Sequence, residues 1–198
     1  MLFRSGHRPV QVAISQIASR DVAVFFMAGN RDFLVGKNFA DECNMTLLPS
    51  EHFIDVGDEK ILLVHGDSLC TDDVAHQKFR GMVLNAAWQA GFLAKTIAER
   101  DGLARLARYR SDDGKAQKTS EIMDVTPLAV KQLMDARSVR LLIHGHTHRP
   151  AIHRLASADA TPGYRIVLGD WASAESAITL DENQLTLKFH GTQETLPL

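Results

Sequence analysis

The sequence is poor in cysteine and has no long hydrophobic run. Its 198 residues include two cysteines, Cys43 and Cys70, which do not have a Cys-x-x-Cys spacing. A disulfide framework is therefore not expected, and a reducing cytosol fits. No stretch approaches the roughly 20 apolar residues of a membrane-spanning helix. The formal net charge is −2, which argues against a dedicated nucleic-acid-binding protein.

What is present is typical of one globular domain with mixed helices and strands. Hydrophobic residues make up 45% and charged residues 23% of a chain long enough for one sizeable core. Hydrophobic periodicity predicts an α/β fold with helices at 10–18, 37–43, within 71–110 and at 127–136. Strands are predicted at 22–27 (buried, in a parallel sheet), 45–48, 53–56, 60–64 and 139–143, followed by antiparallel strands at 165–168, 176–180 and 185–190. A polar stretch is predicted from 110 to 120.

The most informative segment follows the predicted strand at 139–143. It reads His144-Gly145-His146-Thr147-His148, which places three imidazoles within five residues. Alternating histidines at a strand end, next to a glycine that permits a tight backbone, can direct two nitrogens into one metal pocket. A His-rich surface loop or an expression tag is the alternative, although a tag would not follow a buried strand.

Two further strand ends carry metal-ligand side chains. Asn30 follows the strand at 22–27, and His65 follows the strand at 60–64. Open α/β folds place their sites at the carboxyl edge of the sheet, so these side chains can gather with His146 and His148. Amide oxygen and imidazole without thiolate favour Mn²⁺, Fe²⁺ or Zn²⁺ in a catalytic role. Alternatively, Asn30 is a turn residue and His65 a satisfied core histidine.

In this order, the motifs resemble those of the calcineurin-like binuclear metallophosphoesterases. They are Gly29-Asn30-Arg31-Asp32, His65-Gly66-Asp67 and Gly145-His146-Thr147-His148. With Ile122-Met123-Asp124-Val125 and the extension to Arg149-Pro150, they look like the narrower UDP-2,3-diacylglucosamine pyrophosphohydrolase family. The superfamily usually has histidine where Arg31 stands, so Arg31 separates the narrower family from the rest.

The resemblance implies a fold and a ligand set. The implied fold is a metallophosphoesterase β-sandwich flanked by helices, one domain over 1–198, with a helical cap insertion at about 72–118. Asn30, His65 and His146 would hold one divalent ion and His148 a second, with Mn²⁺ the expected metal. The implied substrate contacts are Asn30, Arg31, Asp73, Ser111, Lys115, Lys118 and His146.

Some of these residues also have simpler interpretations. Asp72 or Asp73 can cap the next helix, and Ser111 and Lys118 can be solvated loop residues. Phe79, Trp88, Phe92 and Leu93 can line an acyl channel or only pack the helices. Arg100, Arg105, Arg108 and Arg110 form a basic segment that suits an anionic membrane surface, or an ordinary solvated helix face.

The resemblance implies an enzyme of lipid A synthesis. It would hydrolyse a UDP-diacyl-sugar lipid in the cytoplasm, peripherally at the inner membrane, as a monomer. Two readings compete with this one: another calcineurin-like phosphodiesterase, and a scaffold whose site has decayed. The family also has an Asp-x-His pair on its first strand and a Gly-Asp pair after its second. Neither precedes Val22 here, so the fold is expected to lack its first strands and the chain to be weakly active or inactive.

Overall fold

The structure is a computed structural model that describes residues 8–116, 122–156, 161–171 and 175–198, with side chains left out from 110 to 116. Contacts divide the chain into two compact units. The first comprises Met1–Pro49 and Asp73–Ile122, and the second Ser50–Asp72 and Met123–Leu198. The prediction of a single domain with a cap insertion at about 72–118 stays a prediction.

The first unit begins with a small layer of helices and strands. It contains α1 (Arg8–Ala18), β1 (Val24–Met27), α2 (Lys37–Cys43) and β2 (Met45–Leu48). The two strands pair in parallel, as predicted for β1. Their core is formed by Phe39, Ala40, Cys43 and Met45. Asn44 ends α2 in the left-handed conformation, with a φ of 52°, which asparagine tolerates better than most residues. Phe25 is more exposed than a buried strand predicts.

Three helices complete the first unit: α3 (Val74–Val83), α4 (Ala86–Leu93) and α5 (Ile97–Ala116). Asp73 caps α3 and Asn85 caps α4, each side chain accepting a hydrogen bond from a backbone N–H three residues later. Trp88 stacks on Phe92 with a centroid separation of 5.1 Å. The helical region was predicted to end at about Arg110, and this predicted end is wrong because α5 continues through the polar residues to Ala116. Helix propensity is a weak prior, so a segment that contains Asp112, Asp113 and Gly114 can still be helical.

The described residues of the second unit form two sheets and one α-helix. Its elements are β3 (Glu51–Val56), β4 (Glu59–Val64), a 3-10 turn (Asp67–Leu69), α6 (Pro127–Arg137), β5 (Leu141–His144), β6 (Ala151–Leu155), β7 (Gly163–Val167), β8 (Ser176–Leu180), β9 (Gln184–Phe189) and β10 (Thr192–Pro197). The five-stranded sheet has the order β3-β4-β5-β7-β6, and the three-stranded sheet the order β10-β9-β8. The mixed α/β class is therefore correct.

Apolar residues cover both faces of the five-stranded sheet. Ile61, Leu141 and Ile166 share a core with Leu185 and Leu187 of the three-stranded sheet. On the opposite face, strand residues pack against α6 in a cluster of Leu62, Val64, Leu69, Cys70, Val125, Val130, Met134 and Leu142. Strands buried on both faces read as continuous apolar runs, which is why β4 and β5 were predictable.

Two features of the strands were not predicted. β6 and β10 are polar or mixed in composition, and they pair antiparallel with β7 and β9 respectively. The segment at 165–168 was expected in an antiparallel set, but β7 also pairs in parallel with β5. Strand direction depends on the neighbour chosen in the sheet, which local periodicity does not encode.

None of the helices in the described ranges is both long enough and apolar enough to cross a bilayer.

A histidine-rich strand edge as the candidate metal site

Three parallel strands of the second unit end at the same edge of the sheet. β4 pairs with β5, and β5 with β7, all in parallel. Backbone hydrogen bonds continue to link neighbouring strands at this edge. The Gly145 N–H donates to His65 O at 3.0 Å, and the Leu168 N–H donates to His144 O at 2.8 Å. This edge therefore collects the residues that follow each strand, as predicted for His65 and the His146–His148 segment.

His65 and His146 lie side by side at this edge. Their ring centroids are 5.2 Å apart, with the rings inclined at 70°. Both residues are partly buried. Because they come from different strands, their juxtaposition depends on the β4–β5 pairing rather than on local sequence. The metal-ligand role of His65 stays a prediction.

The backbone of the His146–His148 segment is unusual. The φ angles of His146 and His148 are 66° and 55°, and non-glycine residues in this region are uncommon. Such conformations cost about 1–3 kcal/mol each and persist where the surroundings over-determine them, often at functional sites. The Thr147 hydroxyl between them is buried and has no hydrogen-bond partner within the described residues.

The third motif histidine has a carboxylate partner. His148 Nδ1 lies 3.1 Å from Asp170 Oδ2, with 56% of the His148 side chain and 28% of the Asp170 side chain exposed. Asp170 follows β7 and thus comes from the third of the parallel strands. It was not singled out in the sequence. The same strand-end rule that selected His65 would have found it, because Gly169-Asp170 directly follows an apolar strand.

A buried polar network lies at the end of β5. His144 is 1% exposed, its Nδ1 is 2.8 Å from Gly145 O, and its Nε2 is 3.1 Å from Arg165 Nη1. A carbonyl only accepts and a guanidinium only donates, so His144 carries its proton on Nδ1 and is neutral. Burial, followed by smaller contributions that include Arg165, lowers the pKa of His144 to about 4. Its role is packing and hydrogen bonding.

Asp124 links this network to the histidine segment. Its carboxylate accepts from Arg149 Nη1 at 3.0 Å and lies 3.8 Å from Arg165 Nη1. Burial raises the pKa of Asp124, but the Val125 N–H and the two arginines outweigh it, so the pKa is lowered overall. The carboxylate therefore stays ionised between two cations. Arg149 was noted in the sequence only as part of a motif and Arg165 only as the start of a strand, and neither was assigned a partner.

Gly66 is required by the packing beneath the site. Its φ is 108°, and a Cβ placed on it would lie 2.7 Å from His144 Nδ1. Real Cβ atoms essentially never approach another heavy atom this closely. Glycine between His65 and Asp67 thus allows β4 to turn directly over the buried imidazole.

The other predicted site residues belong to the first unit. Asn30 is partly buried and Arg31 is exposed, both in the turn after β1. Asp73 accepts a hydrogen bond from the His76 N–H at 3.0 Å, so its capping role is confirmed. Ser111 and Lys115 fall within α5 rather than in a loop, and their side chains are outside the described set; Lys118 lies outside the described residues.

The donor chemistry of the strand edge fits a divalent cation. Two imidazoles from adjacent strands and a histidine–carboxylate pair are ligands that borderline divalent metals accept. Among the described residues, no group of three or more His, Cys, Asp or Glu side chains converges closely enough to hold an ion. The metal-ligand roles of His65, His146 and His148 therefore stay predictions.

Sequence relatives place the chain in a family. The UDP-2,3-diacylglucosamine hydrolase of Chromohalobacter salexigens is 46% identical over 83% of this chain and 66% of its own length. Relatives with the same description from Shigella dysenteriae and Salmonella typhi are 41% and 42% identical, each over 91% of this chain and 75% of their own length. The chain belongs to the UDP-2,3-diacylglucosamine hydrolase family. It spans about two thirds to three quarters of the length of these relatives.

Other comparisons add little. No family model matches the chain. A structure of vacuolar protein sorting 29 from Cryptosporidium parvum has a TM-score of 0.45 at 13% identity, covering 95% of this chain and 75% of that one. A mutant of the Entamoeba histolytica protein has a TM-score of 0.37 at 13% identity, covering 95% and 88%. Similarity at this level supports no inference about this chain.

Proposed function

We propose that the chain hydrolyses the diphosphate of UDP-2,3-diacylglucosamine to UMP and 2,3-diacylglucosamine 1-phosphate, a step of lipid A synthesis. The observation that carries the proposal is the 41–46% identity, over 83–91% of the chain, to relatives described as hydrolases of this compound. The chain spans about two thirds to three quarters of the length of these relatives, so the activity is stated as a proposal.

The metal centre we propose contains two divalent ions, with Mn²⁺ expected. Asn30, His65 and His146 are proposed as ligands of one ion and His148 of the other. Such ions supply Lewis-acid activation of water and of the phosphoryl oxygen. The side-by-side rings of His65 and His146 and the pairing of His148 with a carboxylate support these assignments.

Several residues of the chain would bind and orient the substrate. Arg31 is exposed, and its planar guanidinium suits two phosphate oxygens at once. Asn30, Asp73 and His146 would contact the nucleotide sugar with it. Ser111, Lys115 and Lys118 are proposed as further contacts on the strength of the family motifs. Together they would hold the α-phosphorus in line with the attacking water.

We further propose that the protein acts as a monomer in the cytoplasm, peripherally at the inner membrane, because a diacyl substrate resides in a bilayer. The basic residues of α5 support association with the membrane less than their number suggests. Arg100 is buried and Arg105 pairs with Asp101 at 2.8 Å. Arg108 remains exposed on this helix, so an electrostatic contribution would be small.

The test is Mn²⁺-dependent release of UMP from UDP-2,3-diacylglucosamine presented in detergent micelles. His65→Ala should reduce turnover by at least about 100-fold, the upper end of what losing a supporting partner of a metal site costs, because it removes a direct ligand. His190→Ala is the matched control, since His190 is an exposed histidine of the same unit. Circular dichroism establishes that both variants fold.

Three outcomes would contradict the proposal. One is turnover of the lipid substrate that is equal in wild type and His65→Ala. Another is turnover of bis(p-nitrophenyl) phosphate with none of the lipid substrate, which would indicate another phosphodiesterase. The third is the absence of turnover with either compound, as expected of a scaffold.

A further inference from the structure

Asp124 stands on a segment that is anchored in the second unit. The next residue, Val125, is 6% exposed and belongs to the core cluster that packs against α6. The Thr126 N–H donates to Leu69 O at 2.9 Å, and the Thr126 hydroxyl accepts from the Thr71 hydroxyl at 2.7 Å. The backbone that follows Asp124 is therefore held by a buried side chain and two hydrogen bonds.

The two oxygens of the Asp124 carboxylate have different partners. Oδ1 accepts from the Val125 N–H at 2.7 Å and lies 3.8 Å from Arg165 Nη1. Oδ2 accepts from Arg149 Nη1 at 3.0 Å. A hydrogen bond between ionised partners is about twice as strong as a neutral one. The side chains of Arg149 and Asp124 are only 40% and 30% exposed, so salt screens this pair less than a fully exposed one.

The loop between β5 and β6 carries two of the motif histidines in an unusual backbone conformation. Its first residue is fixed, because the Gly145 N–H donates to His65 O at 3.0 Å. Within the loop, the Thr147 N–H donates to Gly145 O at 2.8 Å. His146 and His148 have φ angles of 66° and 55°, which are uncommon for residues other than glycine. Such a backbone persists only where its surroundings determine it.

Arg149 connects this loop to the anchored segment. It directly follows His148, and its hydrogen bond to Asp124 joins residues 25 positions apart in the chain. That bond therefore restricts the backbone at the end of the loop. The same carboxylate lies beside the buried Arg165, whose Nη1 is 3.1 Å from His144 Nε2. One carboxylate is thus linked, through two arginines, to both ends of the loop.

We propose that Asp124 is a positioning residue: its carboxylate holds Arg149, and through it the loop that presents His146 and His148 at the strand edge. The proposal rests on the proposed function only in the claim that this loop serves turnover. One competing interpretation is that Asp124 only neutralises the buried Arg165 and stabilises the whole unit. Another is that Arg149 itself contacts phosphate oxygens of the substrate.

The first measurement, amide hydrogen exchange followed by NMR, needs neither metal nor substrate. The Thr147 N–H reports opening of the loop, and the amides of β5, which lies between two parallel neighbours, report opening of the sheet. Arg149→Met removes the contact with the loop and leaves Asp124 beside Arg165. It should speed exchange at Thr147 by about 10–100-fold and leave β5 unchanged. Lys131→Met, the matched control, breaks an exposed pair in α6 and should change neither.

Asp124→Asn should speed exchange at Thr147 at least as much. It should also speed exchange in β5, because the buried Arg165 loses its counter-charge. Adding Arg149→Met to Asp124→Asn should speed exchange at Thr147 no further, since both substitutions break one contact. Unchanged exchange at Thr147 in Arg149→Met overturns the proposal. Equal increases at Thr147 and in β5 in that variant also overturn it, because they would show loss of stability across the unit.

The second measurement is the kcat and KM of UMP release. Arg149→Met and Asp124→Asn should each lower kcat by about 10–100-fold with little change in KM, because a displacement of about 1 Å in a site can cost about 100-fold. Faster exchange at Thr147 with unchanged kcat overturns the proposal. A higher KM confined to Arg149→Met, with unchanged exchange at Thr147, also overturns it and assigns Arg149 to phosphate binding.

The two proposals can fail separately. If exchange at Thr147 responds as expected while the wild type releases no UMP, the proposed function is wrong and Asp124 still positions the loop. If the wild type releases UMP and depends on His65 while Arg149→Met exchanges and turns over as the wild type does, the function stands and the role of Asp124 is wrong.

Discussion

Gly66→Ala tests whether the turn after β4 is dictated by the buried imidazole of His144. Two costs add at this position. Placing alanine at a positive φ costs about 1–2 kcal/mol, and forcing a methyl group into filled space costs about 1–3 kcal/mol. The His144 ring cannot easily give way, because it is 1% exposed and both of its nitrogens make polar contacts. We expect the free energy of unfolding to fall by about 2–4 kcal/mol.

Gly191→Ala separates the two costs. Gly191 has a φ of 74°, and a Cβ there would meet nothing within 4 Å. It lies in the same unit, so only the backbone cost applies. That cost is partly offset by the lower entropy of the unfolded chain, about 0.4–1 kcal/mol. We expect a loss of about 1 kcal/mol or less.

Urea unfolding followed by far-ultraviolet circular dichroism measures both variants against wild type at pH 8 in chelator. A double-mutant cycle then isolates the contact. In a His144→Ala background the methyl group no longer meets the ring, and the Gly145 carbonyl oxygen at 3.2 Å is the close contact that remains. Gly66→Ala should therefore cost less than in the wild-type background, though more than Gly191→Ala. Equal losses for Gly66→Ala and Gly191→Ala in the wild-type background would refute the reasoning. So would an unchanged loss for Gly66→Ala when the ring is absent.

Three further predictions concern stability. The pKa of His144 in the folded protein, about 4, lies below its unfolded value near 6.5, so the unfolded chain binds the proton first. Stability therefore falls as pH drops from about 6.5 toward 4, by about 2 kcal/mol at pH 5, and urea unfolding of His144→Asn should show a weaker dependence. Asp124→Ala leaves the buried Arg165 without its carboxylate and should cost about 1–3 kcal/mol, whereas Asp135→Ala, in an exposed pair with Lys131, should cost about 0.5 kcal/mol or less in the same assay. Leu142→Ala, at a fully buried position, should lower the free energy of unfolding by about 2–5 kcal/mol, whereas Leu128→Ala, 63% exposed, should cost less than about 0.5 kcal/mol. Similar losses for the two members of either pair would contradict the burial argument.

Local sequence was sufficient to predict those elements in which the hydrophobic pattern and the residues at the ends indicate the same structure. β4 and β5 are short apolar runs buried on both faces, and α6 starts at Pro127 after Thr126, as predicted. Where the local signal was weak, prediction was wrong: α5 continues through the polar segment to Ala116. Helix propensity is a weak prior that tertiary context overrides, so composition alone does not set a helix end.

Sequence also selected the histidines of the site, because three strand ends carry metal-ligand side chains in one order. It did not select their partners. Asp170 and Arg165 have ordinary local contexts, and Asp124 was noted only as part of a motif. Each gains its role from a contact with a residue 20 or more positions away. The roles of Asn30 and Arg31 stay predictions, since the structure describes them in a separate compact unit from the histidines.

The sequence by itself therefore determined the apolar strands, the helix at Pro127 and the identity of His65, His146 and His148 as candidate ligands, because these follow from local periodicity and residue chemistry. Only the tertiary structure decided that β7 runs parallel beside β5. That pairing brings Asp170 to His148 and Arg165 to His144. Strand pairing joins residues distant in the chain through backbone hydrogen bonds that every sequence can make, so the choice of neighbour is settled by packing of the whole unit and not by any one segment.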